Sequence, residues 1–255
     1  MGKLSGKTAI ITGASAQAGI GATAARLFHA EGANLMLVDV DEGPLAALAS
    51  ELGAAYMVAD VSQDDANSDI VAATLDRFGG LDVALLNAGI VGNIMLTVDY
   101  DLDLFDKVLA VNVRGVFLGL KHMMPAMEAS GGSIVITSST AGIRALPGLA
   151  AYTASKHAVI GLMRTAALEG AAHNIRVNTV NPSPIATPMM DKMEDMNGVT
   201  DADRQNFPLA QGTPLKRYGK PEEVARMMLF LASDDASFST GGVYMVDGGV
   251  SAGRV

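Results

Sequence analysis

Short runs of aliphatic residues alternate with longer stretches of helical periodicity along the whole chain. The short runs, which predict β-strands, cover residues 8–12, 34–38, 55–58, 83–86, 133–137, 176–180 and 243–246. The helical stretches cover residues 21–31, 44–52, 64–78, 102–128, 152–172 and 221–233. Apolar strands without polar alternation are buried on both faces, and their alternation with helices indicates right-handed crossovers. We therefore predict one α/β domain over residues 1–255, with a doubly wound, mostly parallel seven-stranded sheet and helices on both faces.

The composition narrows the classes of function that the chain can have. With 255 residues, of which 49% are hydrophobic, one large domain can bury a substantial core. The formal net charge of −9 gives no basis for binding nucleic acid or an anionic membrane. Cysteine is absent, which excludes disulfides, thiolate metal sites and cysteine nucleophiles. The sequence shows neither a signal-peptide pattern nor an apolar run of membrane-spanning length, so we expect a soluble cytoplasmic protein.

A glycine-rich turn follows the first predicted strand and precedes the first predicted helix. Its sequence over residues 12–21 is TGASAQAGIG. Glycines let the backbone turn tightly and approach a pyrophosphate, which then lies at the helix N-terminus. In this context the turn predicts a Rossmann-like dinucleotide site with the contact residues Gly13, Ser15, Gln17, Gly19, Ile20 and Gly21.

An acidic residue, Asp39, follows the second predicted strand. A carboxylate at this point can accept hydrogen bonds from the adenosine ribose hydroxyls, and it would repel a 2′-phosphate. Between residues 14 and 40, Arg26 is the only basic residue apart from His29, and it lies inside the first helix, so we expect NAD rather than NADP. Asp60 and Val61 after the third strand border the adenine pocket, or Asp60 simply caps a turn. Small residues after the fourth strand would let the cofactor lie flat over the strand end: Asn87, Ala88 and Gly89.

Tyr152 and Lys156 lie four residues apart in a predicted helix, so both side chains leave the same helix face. A nearby ammonium favours tyrosinate and lowers the pKa of the phenol from about 10, which would suit an acid/base group. Ser139 follows the fifth strand, thirteen residues before Tyr152, and its hydroxyl can bond a substrate oxygen. Asn112 lies in a largely apolar helix and needs buried partners, which would be water or backbone groups.

In their order and spacing these motifs resemble those of the short-chain dehydrogenase/reductase family of about 250 residues, over essentially the whole chain. Three further segments share the resemblance: Asn181-Pro182, Pro184-Ile185-Ala186-Thr187 and Val246-Asp247-Gly248-Gly249.

The resemblance implies a role for each polar residue. Tyr152 would be the general acid/base, and Lys156 would lower the pKa of Tyr152 and bind the nicotinamide ribose. Ser139, rather than its neighbour Ser138, would stabilise the substrate oxygen, and Asn112 would hold a water in a proton relay. Hydride would pass directly between the nicotinamide and the substrate carbon, so no metal is expected. The implied cofactor contacts at this end are Tyr152, Lys156, Pro182, Ile185 and Thr187.

The chain departs from the family pattern at two places. Five residues separate Gly13 from Gly19, where the family usually has three. The additional residues either bulge outward or alter the contacts to the adenosine phosphate. Ser183 stands where the family commonly has glycine, next to the nicotinamide and substrate. Its hydroxymethyl group would narrow the pocket or add a hydrogen bond.

The segment 187–211 is the expected substrate lid, and it is rich in methionine. Methionine side chains adapt to irregular apolar shapes, although these could equally pack the lid on the domain. The loop between Ser139 and Tyr152 is also apolar, so we predict an uncharged, hydrophobic secondary alcohol or ketone, cyclic or aryl-substituted. The expected substrate contacts are Ser139, Ala141, Leu146, Leu149, Ser183, Met189 and Met190.

The best interpretation is an NAD-dependent alcohol dehydrogenase or ketone reductase with a small-molecule substrate. Two predicted helices, 102–128 and 152–172, carry more apolar surface than one sheet face covers, and the family pairs them across a two-fold axis, which implies a homotetramer. An NADPH-dependent 3-oxoacyl-carrier reductase stays an alternative, against which Asp39 and the scarcity of nearby basic residues argue. A non-catalytic dinucleotide sensor is the third alternative, and it would not need Tyr152 and Lys156 together with Ser139.

Overall fold

The computed structural model describes residues 2–200 and 208–253. Within these ranges seven strands form one parallel sheet in the order β3-β2-β1-β4-β5-β6-β7. The strands are β1 Thr8–Thr12, β2 Asn34–Asp39, β3 Ala55–Val58, β4 Val83–Leu86, β5 Gly132–Thr137, β6 Ile175–Pro182 and β7 Val243–Val246. The predicted fold class is confirmed, and β2, β5 and β6 are slightly longer than predicted.

The helices of the described ranges follow the predicted order, with one predicted helix divided in two and two short helices added in the lid segment. They are α1 Ile20–Ala30, α2 Glu42–Leu52, α3 Asp64–Phe78, α4 Leu102–Leu109, α5 Gly115–Met127, α6 Ala150–Gly170, α7 Pro188–Met196, α8 Pro208–Gln211 and α9 Pro221–Ala232. The single helix predicted over 102–128 is interrupted by a π-helical turn, Ala110–Arg114, which contains the buried Asn112. Of the predicted lid, residues 201–207, including Phe207, lie outside the described residues.

The inner strands present alternate residues to two separate cores, whereas the edge strand β3 exposes Tyr56 and Val58. Ile11 of β1 packs in one core with Phe28 of α1, and helices α2 and α9 cover the same side. Ile10 belongs to the other core, together with Met123 of α5 and Met163 of α6. Burial on both faces explains why the strand segments read as continuous aliphatic runs.

The strand order reverses between β1 and β4, which lie side by side at the centre of the sheet. In doubly wound folds the ligand crevice forms at this point, beyond the carboxyl ends of the strands. Among the described helices, none combines the length and apolar character that crossing a bilayer needs.

Candidate active site

The glycine-rich turn packs directly against the end of β4. Gly13 has a φ of 71°, and a Cβ atom on it would lie 2.8 Å from the Ala88 Cα. A Cβ atom on Gly21 would lie 2.1 Å from the Gly13 carbonyl oxygen. Asn87 holds the turn in place, because its Nδ2 donates to the carbonyl oxygens of Thr12 and Gly13 at 3.2 and 3.1 Å. This cradle at the start of α1 fits a dinucleotide pyrophosphate.

The two additional residues of the turn lie differently, because Ala16 lines the cleft and Gln17 is turned away from it. Gln17 Nε2 donates to the Pro44 carbonyl oxygen at 2.9 Å, and Arg26 Nη2 donates to Gln17 Oε1 at 2.6 Å. These bonds hold the Gln17 side chain toward α2, and Gln17 does not line the cleft. Gln17 therefore lies outside the cleft lining, because α1 and the start of α2 supply polar partners for it, and its contact with the cofactor stays a prediction.

Asp39 is held at the cleft by backbone N–H groups. Its Oδ2 accepts a hydrogen bond from Ser15 N at 2.9 Å, and its Oδ1 accepts one from Val40 N at 2.8 Å. Asp60 has both of the features that the sequence left open. It lines the cleft beside Val61, and its Oδ1 caps the turn by accepting a bond from Ser62 N at 2.9 Å.

These elements surround one cleft of about 640 Å³. With Gln17 and Asn112 as exceptions, the predicted site residues all lie in its lining. Those of the cofactor prediction are Gly13, Ser15, Gly19, Ile20, Gly21, Asp39, Asp60, Val61, Asn87, Ala88, Gly89, Pro182, Ile185 and Thr187. Those of the catalytic and substrate predictions are Ser139, Tyr152, Lys156, Ala141, Leu146, Leu149, Ser183, Met189 and Met190.

Two hydroxyl groups meet at the centre of the cleft. The Ser139 hydroxyl is close enough to the Tyr152 hydroxyl to influence its pKa. Ser139 Oγ also accepts a bond from Ala141 N at 3.1 Å and donates to the Pro182 carbonyl oxygen at 3.5 Å. The neighbouring Ser138 hydroxyl donates to the Lys156 carbonyl oxygen at 3.0 Å and is buried. Ser139 is therefore the serine whose hydroxyl is directed at Tyr152.

Lys156 lies behind this pair and is only 4% exposed. Its Nζ donates to the Thr137 carbonyl oxygen at 2.8 Å and lies 5.5 Å from the centroid of the Tyr152 ring. Burial lowers the pKa of Lys156 from 10.5 to about 8, because the charged ammonium loses its hydration.

The pKa of Tyr152 differs from the expectation. Burial raises this pKa, while the hydrogen bond with Ser139 acts in the opposite direction. The predicted lowering by Lys156 was wrong for this structure, because the ammonium lies over the ring and the surrounding protein removes part of the hydration of the half-buried phenol.

Asn112 lies beneath the cleft and joins two of its walls. Its Oδ1 accepts a hydrogen bond from Ile90 N, and its Nδ2 donates to the Ile90 carbonyl oxygen, both at 2.8 Å. The same Nδ2 donates to Ser155 Oγ at 3.0 Å, so both amide hydrogens are used within the protein. Ser155 Oγ in turn donates to the Tyr152 carbonyl oxygen at 2.7 Å. Asn112 thus connects the segment after β4 with the first turn of α6, and its predicted water-holding role stays a prediction.

Several lining residues were missed by the sequence analysis. Val40 and Ala59 flank the acidic residues at the ends of β2 and β3, so the rule that ligands lie beyond strand ends could have found them. Lys107, Val111, Thr140 and Leu209 also line the cleft. Lys107 and Leu209 come from helices that reach the cleft through tertiary packing, and no local pattern marks them.

Comparison with known proteins agrees with this architecture. A family model described as enoyl-(acyl carrier protein) reductase matches residues 13–251. Levodione reductase of Leifsonia aquatica is 41% identical, with 96% of this chain and 94% of the relative covered. The 2,5-dichloro-2,5-cyclohexadiene-1,4-diol dehydrogenase of Sphingobium indicum is 40% identical, with 99% and 100% covered. A crystal structure of levodione reductase superposes with a TM-score of 0.93 at 38% identity, covering 98% of this chain and 100% of that chain.

The glycine cradle, the paired hydroxyls and these whole-length similarities lead to the same conclusion. The chain belongs to the short-chain dehydrogenase/reductase family of nicotinamide-dependent oxidoreductases.

Proposed function

We propose that the chain is an NAD(H)-dependent alcohol dehydrogenase or ketone reductase that acts on an uncharged, hydrophobic secondary alcohol or its ketone. The observation that carries the proposal is the neighbouring pair of hydroxyls from Ser139 and Tyr152, with Lys156 behind it, in the same cleft as the glycine cradle. A bound nicotinamide would supply or accept the hydride.

The residues of this chain manage the proton and the oxygen. In reduction, Tyr152 Oη would give its proton to the substrate oxygen, and in oxidation it would accept the hydroxyl proton. Ser139 Oγ would hold that oxygen beside Tyr152. Since the pKa of Tyr152 is raised by burial, the phenol is well suited to hold a proton for ketone reduction. Lys156 would keep a positive charge near the tyrosine. Asn112 would position the N-terminal part of α6, which carries Tyr152 and Lys156.

Asp39 supports NAD as the cofactor. Backbone N–H groups of Ser15, Val40 and Asp41 fix its carboxylate in the cleft wall, where a 2′-phosphate would meet a like charge. The arginine nearest to Asp39 in the sequence, Arg26, forms a 2.7 Å ion pair with Glu51. Neither Lys107 nor Lys156, the lysines of the lining, pairs with Asp39 in the part of the chain that the structure describes.

The substrate end of the cleft is largely apolar. Its walls contain Leu146 and Leu149 from the loop before α6, and Met189 and Met190 from α7. Ser183 lies in the same lining, and its hydroxyl forms no hydrogen bond with the described part of the chain. One relative acts on a cyclohexadiene-1,4-diol, a six-membered ring with two oxygens. We propose a substrate of this kind, with Ser139 and Tyr152 at the reacting oxygen and Ser183 bonded to the second oxygen.

The second candidate is an NADPH-dependent 3-oxoacyl-carrier reductase. It is favoured by the similarity to a 3-oxoacyl-[acyl-carrier-protein] reductase of Thermotoga maritima, which is 39% identical, with 97% of this chain and 99% of the relative covered. This activity would need a 2′-phosphate beside Asp39 and an acidic carrier protein beside a chain of net charge −9. Both requirements make it the weaker candidate.

The test is the change in nicotinamide absorbance with NAD(H) and NADP(H) separately. The panel contains cyclohexanols, cyclohexanediols, the matching ketones and a 3-oxoacyl thioester, and Tyr152→Phe is the control. We expect NAD-linked turnover of the cyclic compounds that falls at least about a thousandfold in Tyr152→Phe, with the dissociation constant for NADH retained. Preference for the thioester with NADPH would support the second candidate. NADH binding without turnover of any compound would support the sensor.

Two further properties are proposed. Phe117 of α5 is 51% exposed and Leu168 of α6 is 82% exposed, and contact between copies through these helices would cover both side chains in a homotetramer. Light scattering tests this assembly, and a monomeric mass would refute it. A cytoplasmic location is proposed because turnover needs a supply of free NAD(H), and cell fractionation tests it.

A further inference from the structure

Glu194 is the most deeply buried described side chain of helix α7, with 1% of its surface exposed. Its acidic neighbours Asp191 and Asp195 are exposed. A carboxyl group withdrawn from water is unfavourable unless hydrogen bonds replace its hydration. A helix that only packed on the domain would bury a methionine at this position, of which α7 has several. The buried acid therefore needs a specific explanation.

One hydrogen bond of this carboxyl group reaches a distant segment. The hydroxyl of Tyr218 donates to Glu194 Oε1, which joins α7 to the segment that precedes α9. The backbone beside Tyr218 is firmly placed, because Gly219 N donates to the Pro184 carbonyl oxygen and Ala186 N donates to the Gly219 carbonyl oxygen, both at 2.9 Å. Tyr218 is thus attached to the chain that leaves the end of β6.

The same segment is attached to α9. Arg217 forms a bidentate ion pair with Glu223, with N–O distances of 2.7 and 2.8 Å. Glu223 Oε2 also accepts a hydrogen bond from Lys220 N at 2.7 Å, in the capping arrangement at the start of α9. Tyr218 therefore extends from a rigid frame formed by the end of β6 and the start of α9.

The position of Glu194 on α7 connects this frame to the substrate. Met190 and Met193 line the cleft, and Glu194 follows Met193 directly and lies one helical turn after Met190. We propose that Glu194 and Tyr218 are positioning residues that hold α7 against the β6–α9 frame and so fix the methionine wall of the substrate pocket. The inference rests on the proposed function in assigning that wall to the substrate.

The experiment compares the full-length enzyme with Tyr218→Phe, which removes the donor and keeps the ring. Hydrogen exchange of the α7 backbone amides is measured without cofactor. Steady-state kinetics use a hydrophobic cyclic ketone. We expect exchange in α7 to accelerate about tenfold, as for loss of one hydrogen bond to a carboxyl group. KM for the ketone should rise about tenfold, whereas kcat and the dissociation constant for NADH should change less than about twofold.

Two variants serve as controls. Tyr56→Phe removes a hydroxyl from a partly exposed tyrosine on the edge strand β3 and should leave exchange and kinetics unchanged. Glu194→Gln keeps an oxygen that accepts the Tyr218 hydroxyl, so its KM should lie between those of the wild type and Tyr218→Phe.

Unchanged exchange and unchanged KM in Tyr218→Phe would overturn the proposal. The proposal would also be overturned if kcat fell and NADH binding weakened as much as KM rose, because such changes indicate general damage to the fold. If the wild type turned over no ketone, the proposed function would fail, and faster exchange confined to α7 would still support the link between Glu194 and Tyr218.

Discussion

Replacing Lys156 with methionine should abolish turnover and at the same time stabilise the fold. Lys156 is almost completely buried, and no acidic side chain contributes to its pKa. The fall in its pKa from 10.5 to about 8 measures how strongly the native structure disfavours the charged form. Each pKa unit corresponds to ~1.4 kcal/mol, so the charged lysine costs the native state about 3 kcal/mol.

Part of the stability gained by removing this buried charge is offset. Methionine cannot donate to the Thr137 carbonyl oxygen, which Lys156 Nζ reaches at 2.8 Å, and losing that hydrogen bond costs ~1 kcal/mol. The net gain is therefore about 2 kcal/mol, or a rise in Tm of roughly 4–8 °C for a chain of this size.

The pH dependence of the difference in Tm shows whether desolvation of the lysine is its cause. Below pH 8 the lysine is charged in both the native and the unfolded state, so the native state bears the full desolvation cost. Between pH 8 and 10.5 the native lysine has lost its proton while the unfolded one keeps it. In this range the free energy of unfolding of the wild type rises relative to that of the variant. The difference in Tm should therefore be largest near pH 7 and should close toward pH 10.

Thermal unfolding without cofactor, at one protein concentration and at pH 7 and 9.5, measures this difference. Lys192→Met, which changes an exposed lysine on α7, is the matched control and should shift Tm by no more than about 2 °C. A Lys156→Met variant that is less stable than the wild type, or a difference that does not vary with pH, would refute the reasoning.

Three other predictions concern the cofactor and the proton. With the pKa of Lys156 at about 8, kcat/KM for ketone reduction should decline as the pH rises above 8, because the positive charge beside the tyrosine is lost; a pH–rate profile tests this. Asp39→Asn removes the negative charge and should raise the preference for NADP relative to NAD by about tenfold or more, measured as a ratio of kcat/KM values. Gly21→Ala places a Cβ atom 2.1 Å from the Gly13 carbonyl oxygen and should weaken NADH binding at least about tenfold in calorimetry. Gly43→Ala in α2, where no atom lies within 4 Å of the added carbon, should not.

The strands and the position of the cleft could be predicted because each depends on local pattern. Apolar runs buried on both faces are visible in the sequence, and glycines that no side chain can replace mark the turn after β1. The placement of Gln17 could not be predicted, since its partners Pro44 and Arg26 meet it only in the folded chain.

Burial and long-range pairing were the other limits. The spacing of Tyr152 and Lys156 correctly predicts that they are neighbours, but it does not predict how far both are withdrawn from water, which decides the direction of their pKa changes. Glu194 resembles a solvated acid in an acidic stretch, and its partner Tyr218 lies 24 residues away without any shared motif. Both failures concern the environment of a side chain rather than its identity.

The carboxylate of Asp39 has a consequence for protein engineering. Because it accepts hydrogen bonds from the backbone of Ser15 and Val40, it ties the glycine-rich loop to the end of β2 as well as facing the cleft. An arginine introduced at residue 39 to recruit NADP would release both tethers at once. Redesign of cofactor preference therefore calls for a paired substitution, in which a neighbouring side chain restores an acceptor for the freed loop amide.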